Sequence, residues 1–169
     1  CEGLKFHLER GEGLVIEGPP GVGKTQVLSL IALAARDVRF VCPVDRIPRQ
    51  PTVVYVFWPI LDRALHSADL GHRELVRECA TADLLLIDDL DRMYASDWGM
   101  SEADAFFEER YAQMRSTVIT LNSDVETLDE RLARAVDRWR ETMQRIGIGG
   151  DSQRRYGDRD QSDTALPEA

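Results

Sequence analysis

The sequence predicts an α/β fold in which helices cover both faces of a parallel sheet. Three observations support this prediction: apolar strand-like segments alternate with helical segments, a glycine-rich turn joins the first strand to the first helix, and an apolar strand ends in two aspartates. Alternating strands and helices favour a parallel sheet, because each crossover returns the chain to the same end of the sheet. The length of 169 residues suits a single domain.

Four segments are predicted to form the strands of this sheet. They are rich in β-branched or large apolar residues, as expected for strands that are buried on both faces, and they cover residues 13–17, 52–57, 84–89 and 116–121. Residues 36–51 contain three prolines, and proline cannot donate to a sheet ladder. We therefore predict a loop there, with room for a short edge strand.

The helices are predicted from the spacing of their apolar residues. They cover residues 24–36, a segment from Pro59 to a break at Gly71, 72–80, 101–114 and 127–146, the last of which could divide near Leu132. Ser101 is predicted to be the N-cap of its helix. Residues 147–169 are rich in glycine, aspartate and arginine and are predicted to be disordered. The predicted folded domain therefore covers residues 1–146.

The turn between the first strand and the first helix has the sequence GPPGVGKT. This context predicts a phosphate-binding P-loop and a three-layer P-loop NTPase. Gly21 and Gly23 allow neighbouring N–H groups to converge on one anion, and the helix N-terminus adds positive potential. Lys24 can reach the terminal phosphates, and the Thr25 hydroxyl can bind Mg²⁺. The predicted nucleotide-binding residues are Gly18, Pro19, Pro20, Gly21, Val22, Gly23, Lys24, Thr25 and Gln26.

The segment LLLIDD ends in two carboxylates at the edge of the sheet where ligands bind in open α/β folds. Asp88 is predicted to hold Mg²⁺, directly or through water, and Asp89 to orient and deprotonate the attacking water. Asn122 follows the strand at 116–121 and can hydrogen-bond that water or the terminal phosphate. The alternative is that these polar residues only cap or form turns.

Composition limits the partners and the compartment. The net charge is −9, whereas proteins that bind nucleic acid unaided usually have a basic surface, so we expect at most a weak DNA contact from the isolated domain. The three cysteines are widely spaced and form no metal-binding pair, which predicts free thiols in a reducing cytoplasm. No apolar run approaches the roughly 20 residues needed to span a bilayer.

The segments GPPGVGKT, LLLIDDL and FFEERYAQMRSTVITLNSD, in this order and spacing, resemble the AAA+ ATPases of the DnaC/DnaI helicase-loader and IstB transposition-helper group. The resemblance covers most of the core domain. It implies that Lys24 and Thr25 are the Walker A residues. It further implies that Asp88 and Asp89 are the Walker B pair and that Asn122 is sensor 1.

The same resemblance implies an arginine finger, a residue that completes the site of a neighbouring subunit. The family's finger follows an aspartate, which makes Arg138 the candidate, with Arg131 and Arg134 as further candidates. Arg154 occupies the position expected for the family's sensor 2 arginine. The strand expected before Arg154 is not evident in the sequence, which leaves that assignment open.

These expectations describe an ATP-binding and ATP-hydrolysing AAA+ assembly factor that acts in helicase loading or in transposition, with a second copy, a helicase or a transposase as partner. Two alternatives remain. A small-molecule P-loop kinase would share the P-loop, but it fits the acidic pair and the Asn122 strand poorly. A nucleotide-gated scaffold that scarcely hydrolyses ATP would be consistent with Asp89, whose side chain is one methylene shorter than the glutamate usual in fast ATPases.

Overall fold

The computed structural model describes residues 2–91, 97–128 and 132–150 of the chain. The strands are, in chain order, β1 (Gly13–Glu17), β2 (Phe40–Val41), β3 (Pro48–Arg49), β4 (Val53–Phe57), β5 (Leu84–Asp88), β6 (Ser116–Leu121) and β7 (Met143–Gly147). The helices are α1 (Glu2–Arg10), α2 (Lys24–Ala35), α3 (Trp58–Leu65), α4 (Leu70–Thr81), α5 (Asp97–Ala112) and α6 (Ala133–Thr142), with a short 3-10 turn at Val125–Leu128. None of the helices in these ranges is long and apolar enough to cross a membrane.

Five strands form one parallel sheet in the order β4-β5-β6-β1-β7, while β2 and β3 form a separate antiparallel pair. The chain leaves β1 for the far edge at β4, returns through β5 and β6, and then crosses to β7 on the other side of β1. The strand order therefore reverses at β1. In open α/β sheets the carboxyl end of the strand at such a reversal is where ligands bind.

Helices cover both faces of this sheet, so the fold has three layers. Successive residues of a strand face opposite sides. In β5, Leu85 and Ile87 pack in the cluster that includes α3, α4, α5 and α6, whereas Leu84 and Leu86 pack with α1 and α2. The predicted three-layer α/β fold is confirmed, and β1 and β6 begin and end at the predicted residues.

A buried arginine connects α5 to the end of α4 and to the start of β6. Arg110 of α5 is 1% exposed, and its guanidinium donates to the carbonyl oxygens of Cys79 at 2.6 Å, Ala82 at 3.0 Å and Ser116 at 2.5 Å. Its Nε also donates to the Thr117 hydroxyl at 3.0 Å. These bonds connect the end of α4 to the start of β6, and so they help to position the strand that leads to Asn122.

Two predicted helix boundaries are wrong. Asp69 is the N-cap of α4 and accepts from the Gly71 N–H at 2.8 Å, so the helix begins at Leu70 and Gly71 lies in its first turn instead of breaking the chain. Helix α5 begins at Asp97, so Ser101 lies inside it and is not its N-cap. A capping residue favours a helix start but does not enforce one when the helix can extend upstream.

The predicted helix over residues 127–146 is also wrong, because this segment contains the end of the 3-10 turn, α6 and most of β7. The suggested division near Leu132 is correct, since α6 begins at the next residue. The apolar residues of α6 have helical spacing and face the core, where Trp139 is buried. Strand β7 is an edge strand that pairs with β1, with Met143 opposite Gly13. Pairing with a distant strand leaves little trace in the local sequence.

The sheet extends past residue 146. Gly147 ends β7, and the Ile148 N–H donates to the Glu17 carbonyl oxygen at 2.7 Å. A strand, β7, therefore does precede Arg154 in the chain, and the sensor 2 assignment stays a prediction. Arg154 itself, the remainder of the predicted tail at 151–169, and Arg131 lie outside the described residues.

Candidate functional site

The loop between β1 and α2 has the backbone that an anion site requires. Gly21 and Gly23 have φ values of 88° and 98°, in the region that favours glycine. Gly23 immediately precedes α2, and no side chain caps this end of the helix. Such a helix N-terminus favours a phosphate group, through both its N–H donors and its dipole.

Gly18 starts this loop where three segments meet. Its N–H donates to the Leu121 carbonyl oxygen at 3.2 Å. A Cβ at this position would overlap with the carbonyl oxygen of Ile148. Gly18 is therefore required here by close packing of the chain that follows β7.

The Lys24 side chain is 5% exposed and turns back over the loop. Its ammonium donates to the carbonyl oxygens of Gly18 at 2.7 Å and Pro19 at 3.0 Å, and to Asn122 Oδ1 at 2.9 Å. The predicted phosphate-binding lysine and the predicted sensor asparagine, 98 residues apart in sequence, are thus in direct contact.

Asp88 at the end of β5 is 6% exposed, and three hydroxyl groups donate to its carboxylate. The Thr25 hydroxyl lies 2.7 Å and the Tyr55 hydroxyl 3.0 Å from Oδ2, and the Thr120 hydroxyl lies 2.6 Å from Oδ1. Burial, together with the negative charge of Asp88, raises the pKa of Tyr55 to about 12, so this hydroxyl stays protonated and acts as a donor. All three partners are hydroxyl groups, and none of them is a cation.

Asp89 has a different environment from its neighbour. Its φ of 55° places it in the left-handed region, which is uncommon for a residue with a side chain. Its N–H donates to the Thr120 hydroxyl at 2.9 Å, and its Oδ1 accepts from Asn122 Nδ2 at 3.1 Å. The left-handed turn breaks the strand geometry after Asp88, and Asp89 lines the cavity described next.

A cavity of about 250 Å³ lies at this carboxyl edge of the sheet. Seven residues line it, all of them predicted site residues: Gly21, Gly23, Lys24, Thr25, Gln26, Asp89 and Asn122. Gly18 and Pro19 line an adjoining open groove, while Pro20 is exposed and Val22 half-buried in the same loop. The structure therefore brings the predicted P-loop, the acidic pair and Asn122 together.

The residues present fit a nucleoside triphosphate with Mg²⁺. The left-handed glycines and the uncapped start of α2 suit phosphate oxygens. The Thr25 hydroxyl and the Asp88 carboxylate are oxygen ligands, which Mg²⁺ prefers, and Mg²⁺ is commonly held by one or two protein ligands together with substrate phosphates.

The candidate arginine fingers are not part of this cavity. Arg138 of α6 lies against α5, with its Nε 3.6 Å from Glu108 Oε1 and its guanidinium 5.1 Å from the centre of the Tyr111 ring. Arg134 is 80% exposed, and its Nε is 3.3 Å from Asp104 Oδ2. Neither arginine is among the residues that line the cavity of its own chain.

Three residues of the site were missed by sequence reasoning. The sequence predicts Tyr55 and Thr120 only as parts of strands and gives Asp91 no role in the site. A polar residue near the carboxyl end of an otherwise apolar strand is the signal that could have identified Thr120, because the ends of parallel strands share one edge. Asp91 accepts from the Asn122 backbone N–H at 2.9 Å.

No protein-family model matches the chain, and no curated protein sequence matches it. Solved structures do match its fold. The crystal structure of DnaI has a TM-score of 0.63 at 27% identity, over 83% of this chain and 72% of that one. The crystal structure of the DnaC helicase loader has a TM-score of 0.65 at 22% identity, over 87% of this chain and 86% of that one. AMPPCP-bound DnaA from Aquifex aeolicus has a TM-score of 0.67 at 22% identity.

The DnaA match covers 92% of this chain but only 47% of DnaA, so this chain spans about half the length of that protein. The structural neighbours are AAA+ proteins of replication initiation and helicase loading, which confirms the resemblance to the DnaC/DnaI group. The part of that resemblance that concerns IstB stays a prediction.

Proposed function

We propose that this chain binds ATP and Mg²⁺, hydrolyses ATP, and acts as an assembly factor in DNA replication whose nucleotide state controls partner binding, with helicase loading as its role. The observation that carries the proposal is the set of hydrogen bonds that joins the P-loop, the acidic pair and Asn122 around one cavity. A transposition-helper role would use the same site, and helicase loading is preferred because the structural neighbours include a helicase loader.

Each site residue has a role that follows from its position. Lys24 binds the terminal phosphates once its ammonium exchanges a carbonyl partner for a phosphate oxygen. Thr25 and Asp88 hold Mg²⁺, which supplies positive charge against the phosphates. Asp89 borders the cavity and accepts the proton of the attacking water, and Asn122 orients that water or the terminal phosphate.

Arg138 is proposed to act on the site of a neighbouring subunit. Phosphoryl transfer spreads negative charge over the terminal phosphate oxygens, and an arginine that meets this charge contributes roughly 10³–10⁵ in rate in related enzymes. Within one chain Arg138 contacts Glu108 and Tyr111 on α5 and does not line the cavity. If a second copy supplies this arginine, hydrolysis depends on assembly, and the nucleotide state can control when a partner is held or released.

The proposed setting is the cytoplasm, with a replicative helicase or a second copy of the chain as the main partner. Cys42 and Cys79 are buried free thiols, as expected in a reducing compartment. The net charge of −9 favours a protein partner over tight DNA binding by this domain alone. DnaA has been solved with AMPPCP and single-stranded DNA, so a weak DNA contact within an assembly fits the proposal.

A nucleotide-gated scaffold is the second candidate. The favouring observation is Asp89, whose short carboxylate is hydrogen-bonded to Asn122 instead of projecting freely into the cavity. A base held in this way would transfer protons slowly, and the protein would then act by ATP binding with little turnover.

The test is the ATPase rate per molecule as a function of protein concentration, measured for wild type, Arg138→Ala and Arg140→Ala. Arg140 is an exposed arginine of the same helix and serves as the matched control. We expect the rate per molecule to rise with concentration for wild type and Arg140→Ala and to stay low for Arg138→Ala. A substantial rate that does not vary with concentration would instead favour a monomeric enzyme. A rate near zero, with ATP binding intact, would favour the scaffold.

A further inference from the structure

The Asn122 side chain is held by a carboxylate that lies outside the predicted site. Asp91 Oδ2 accepts from the Asn122 backbone N–H at 2.9 Å, and Asp91 Oδ1 accepts from Asn122 Nδ2 at 3.1 Å. The Ser123 hydroxyl also lies 3.4 Å from Asp91 Oδ2. One carboxylate therefore fixes both the backbone and the side chain of the residue that faces the cavity.

The charges around Asn122 allow one orientation of its amide. Its nitrogen lies between Asp89 Oδ1 and Asp91 Oδ1, each at 3.1 Å, while its oxygen accepts from Lys24 at 2.9 Å. Rotating the amide by 180° would point its oxygen at two carboxylates and its NH₂ group at an ammonium, so all three contacts would become repulsive. Asp89 alone provides only one of the two acceptors for the nitrogen.

We propose that Asp91 is a positioning residue that keeps the amide oxygen of Asn122 towards Lys24 and the amide nitrogen towards Asp89. This inference rests on the proposed function only for its catalytic consequence. Without Asp91, Asn122 loses one of the two acceptors of its Nδ2 group. It also loses the acceptor of its backbone N–H. Lys24, Asp89 and Asn122 would then lose their fixed arrangement, although none of them would be altered.

Two substitutions separate positioning from simple support of the fold. Asp91→Ala removes both acceptors. Asp91→Asn keeps the size and can keep the bond from the Asn122 backbone N–H, but its own NH₂ group would then face the Asn122 NH₂ group, which favours the rotated amide. Ser123→Ala is the matched control, because it removes a hydroxyl from Asp91 and leaves both Asn122 contacts.

The first readout needs no nucleotide. The side-chain ¹⁵N–¹H₂ resonances of Asn122 are assigned by their absence from Asn122→Ala and compared between variants. We expect them to shift or broaden in Asp91→Asn and Asp91→Ala and to stay near their wild-type positions in Ser123→Ala. Unchanged resonances in both Asp91 variants would overturn the proposal, whether or not the protein hydrolyses ATP.

The second readout tests the catalytic consequence with a double-mutant cycle. We expect Asp91→Asn to lower kcat by about 10-fold or more, as misplaced catalytic groups do, while the affinity for a fluorescent ATP analogue changes less than 3-fold. In the Asn122→Ala background the same substitution should have no further effect on kcat. If the two substitutions lowered kcat by independent factors that multiply in the double variant, Asp91 would not act through Asn122. A wild-type protein without ATPase activity would refute the proposed function and leave the resonance test to decide the role of Asp91.

Discussion

Asp88 and Asp89 are adjacent in sequence but differ in environment and so in the chemistry available to them. Asp88 is buried among three hydroxyl donors, including Thr25, which suits a fixed cation ligand. Asp89 itself has a left-handed backbone conformation and borders the cavity. A carboxylate with access to the cavity can exchange a proton with a bound water, whereas one enclosed by hydroxyl donors is better suited to hold a charge.

We predict that Asp89→Ala abolishes ATP hydrolysis and preserves ATP binding. Removal of a general base typically costs roughly 10²–10⁴ in rate, while the phosphate contacts of the P-loop do not involve this side chain. The measurements are the ATPase rate at saturating ATP and the affinity for a fluorescent ATP analogue. Turnover equal to that of wild type would remove Asp89 from the mechanism. Asp88→Ala serves as a comparison, because in that variant the Mg²⁺-dependent binding of ATP should also weaken.

The elements that carry these residues were largely predictable from sequence. Strands that are apolar up to their last residue, such as β5, and the helix that follows the glycine turn have strong local patterns. The ends of parallel strands meet at one edge, so the contact between Lys24 and Asn122 follows from the fold class. Strand β7 was not predictable in this way, because four of its five residues are exposed and its backbone is held by pairing with β1. The contact between Asp91 and Asn122 could not be predicted from sequence either, because it depends on the conformation of the turn after Asp89.

At the level of elements, β7 and the P-loop are coupled at Gly18. We predict that Gly18→Ala lowers the free energy of unfolding by roughly 1–3 kcal/mol, as overpacking does, because the new Cβ would overlap with the Ile148 carbonyl oxygen. The control is Gly147→Ala in β7, where no atom lies within 4 Å of an added Cβ. Urea denaturation of both variants measures the difference. Equal stability of the two variants would contradict the assigned contact.

Asp83 lies at the amino end of the sheet, just before β5. It accepts from Arg49 Nη2 at 2.7 Å and from the Thr52 hydroxyl at 2.9 Å, and so ties β3 to the core. Burial alone would raise the pKa of Asp83, but these hydrogen bonds and the charge of Arg49 hold it below the ordinary value.

We predict that this carboxylate contributes to acid sensitivity. Because its pKa is lower in the folded state, its stabilisation is fully present above the unfolded pKa of about 3.9 and is lost as the pH falls through the lower folded value. Asp83→Asn should therefore be less stable than wild type at neutral pH, with the gap narrowing below about pH 4. Denaturation midpoints over this range test the prediction, and a gap independent of pH would contradict it.

At the scale of the whole molecule, the P-loop, the proposed cation ligand Thr25 and the proposed base Asp89 line one cavity, while Arg138 lies elsewhere on the surface. A head-to-tail assembly, in which one copy presents Arg138 to the cavity of the next, would use both surfaces in every interface. Such an assembly has a consequence that a monomeric enzyme cannot reproduce: two different inactive variants can restore each other.

We predict that Arg138→Ala and Asp89→Ala, each inactive alone, regain ATPase activity when mixed. An Arg138→Ala subunit keeps its base, and a neighbouring Asp89→Ala subunit keeps its arginine, so random head-to-tail mixing at equal concentrations completes about one quarter of the sites. Asp89→Ala is chosen because it should still bind ATP and assemble. The control mixture replaces it with the double variant Asp89→Ala/Arg138→Ala, which can offer no arginine and should restore nothing. A first mixture no more active than the average of its components would show that Arg138 does not act between subunits.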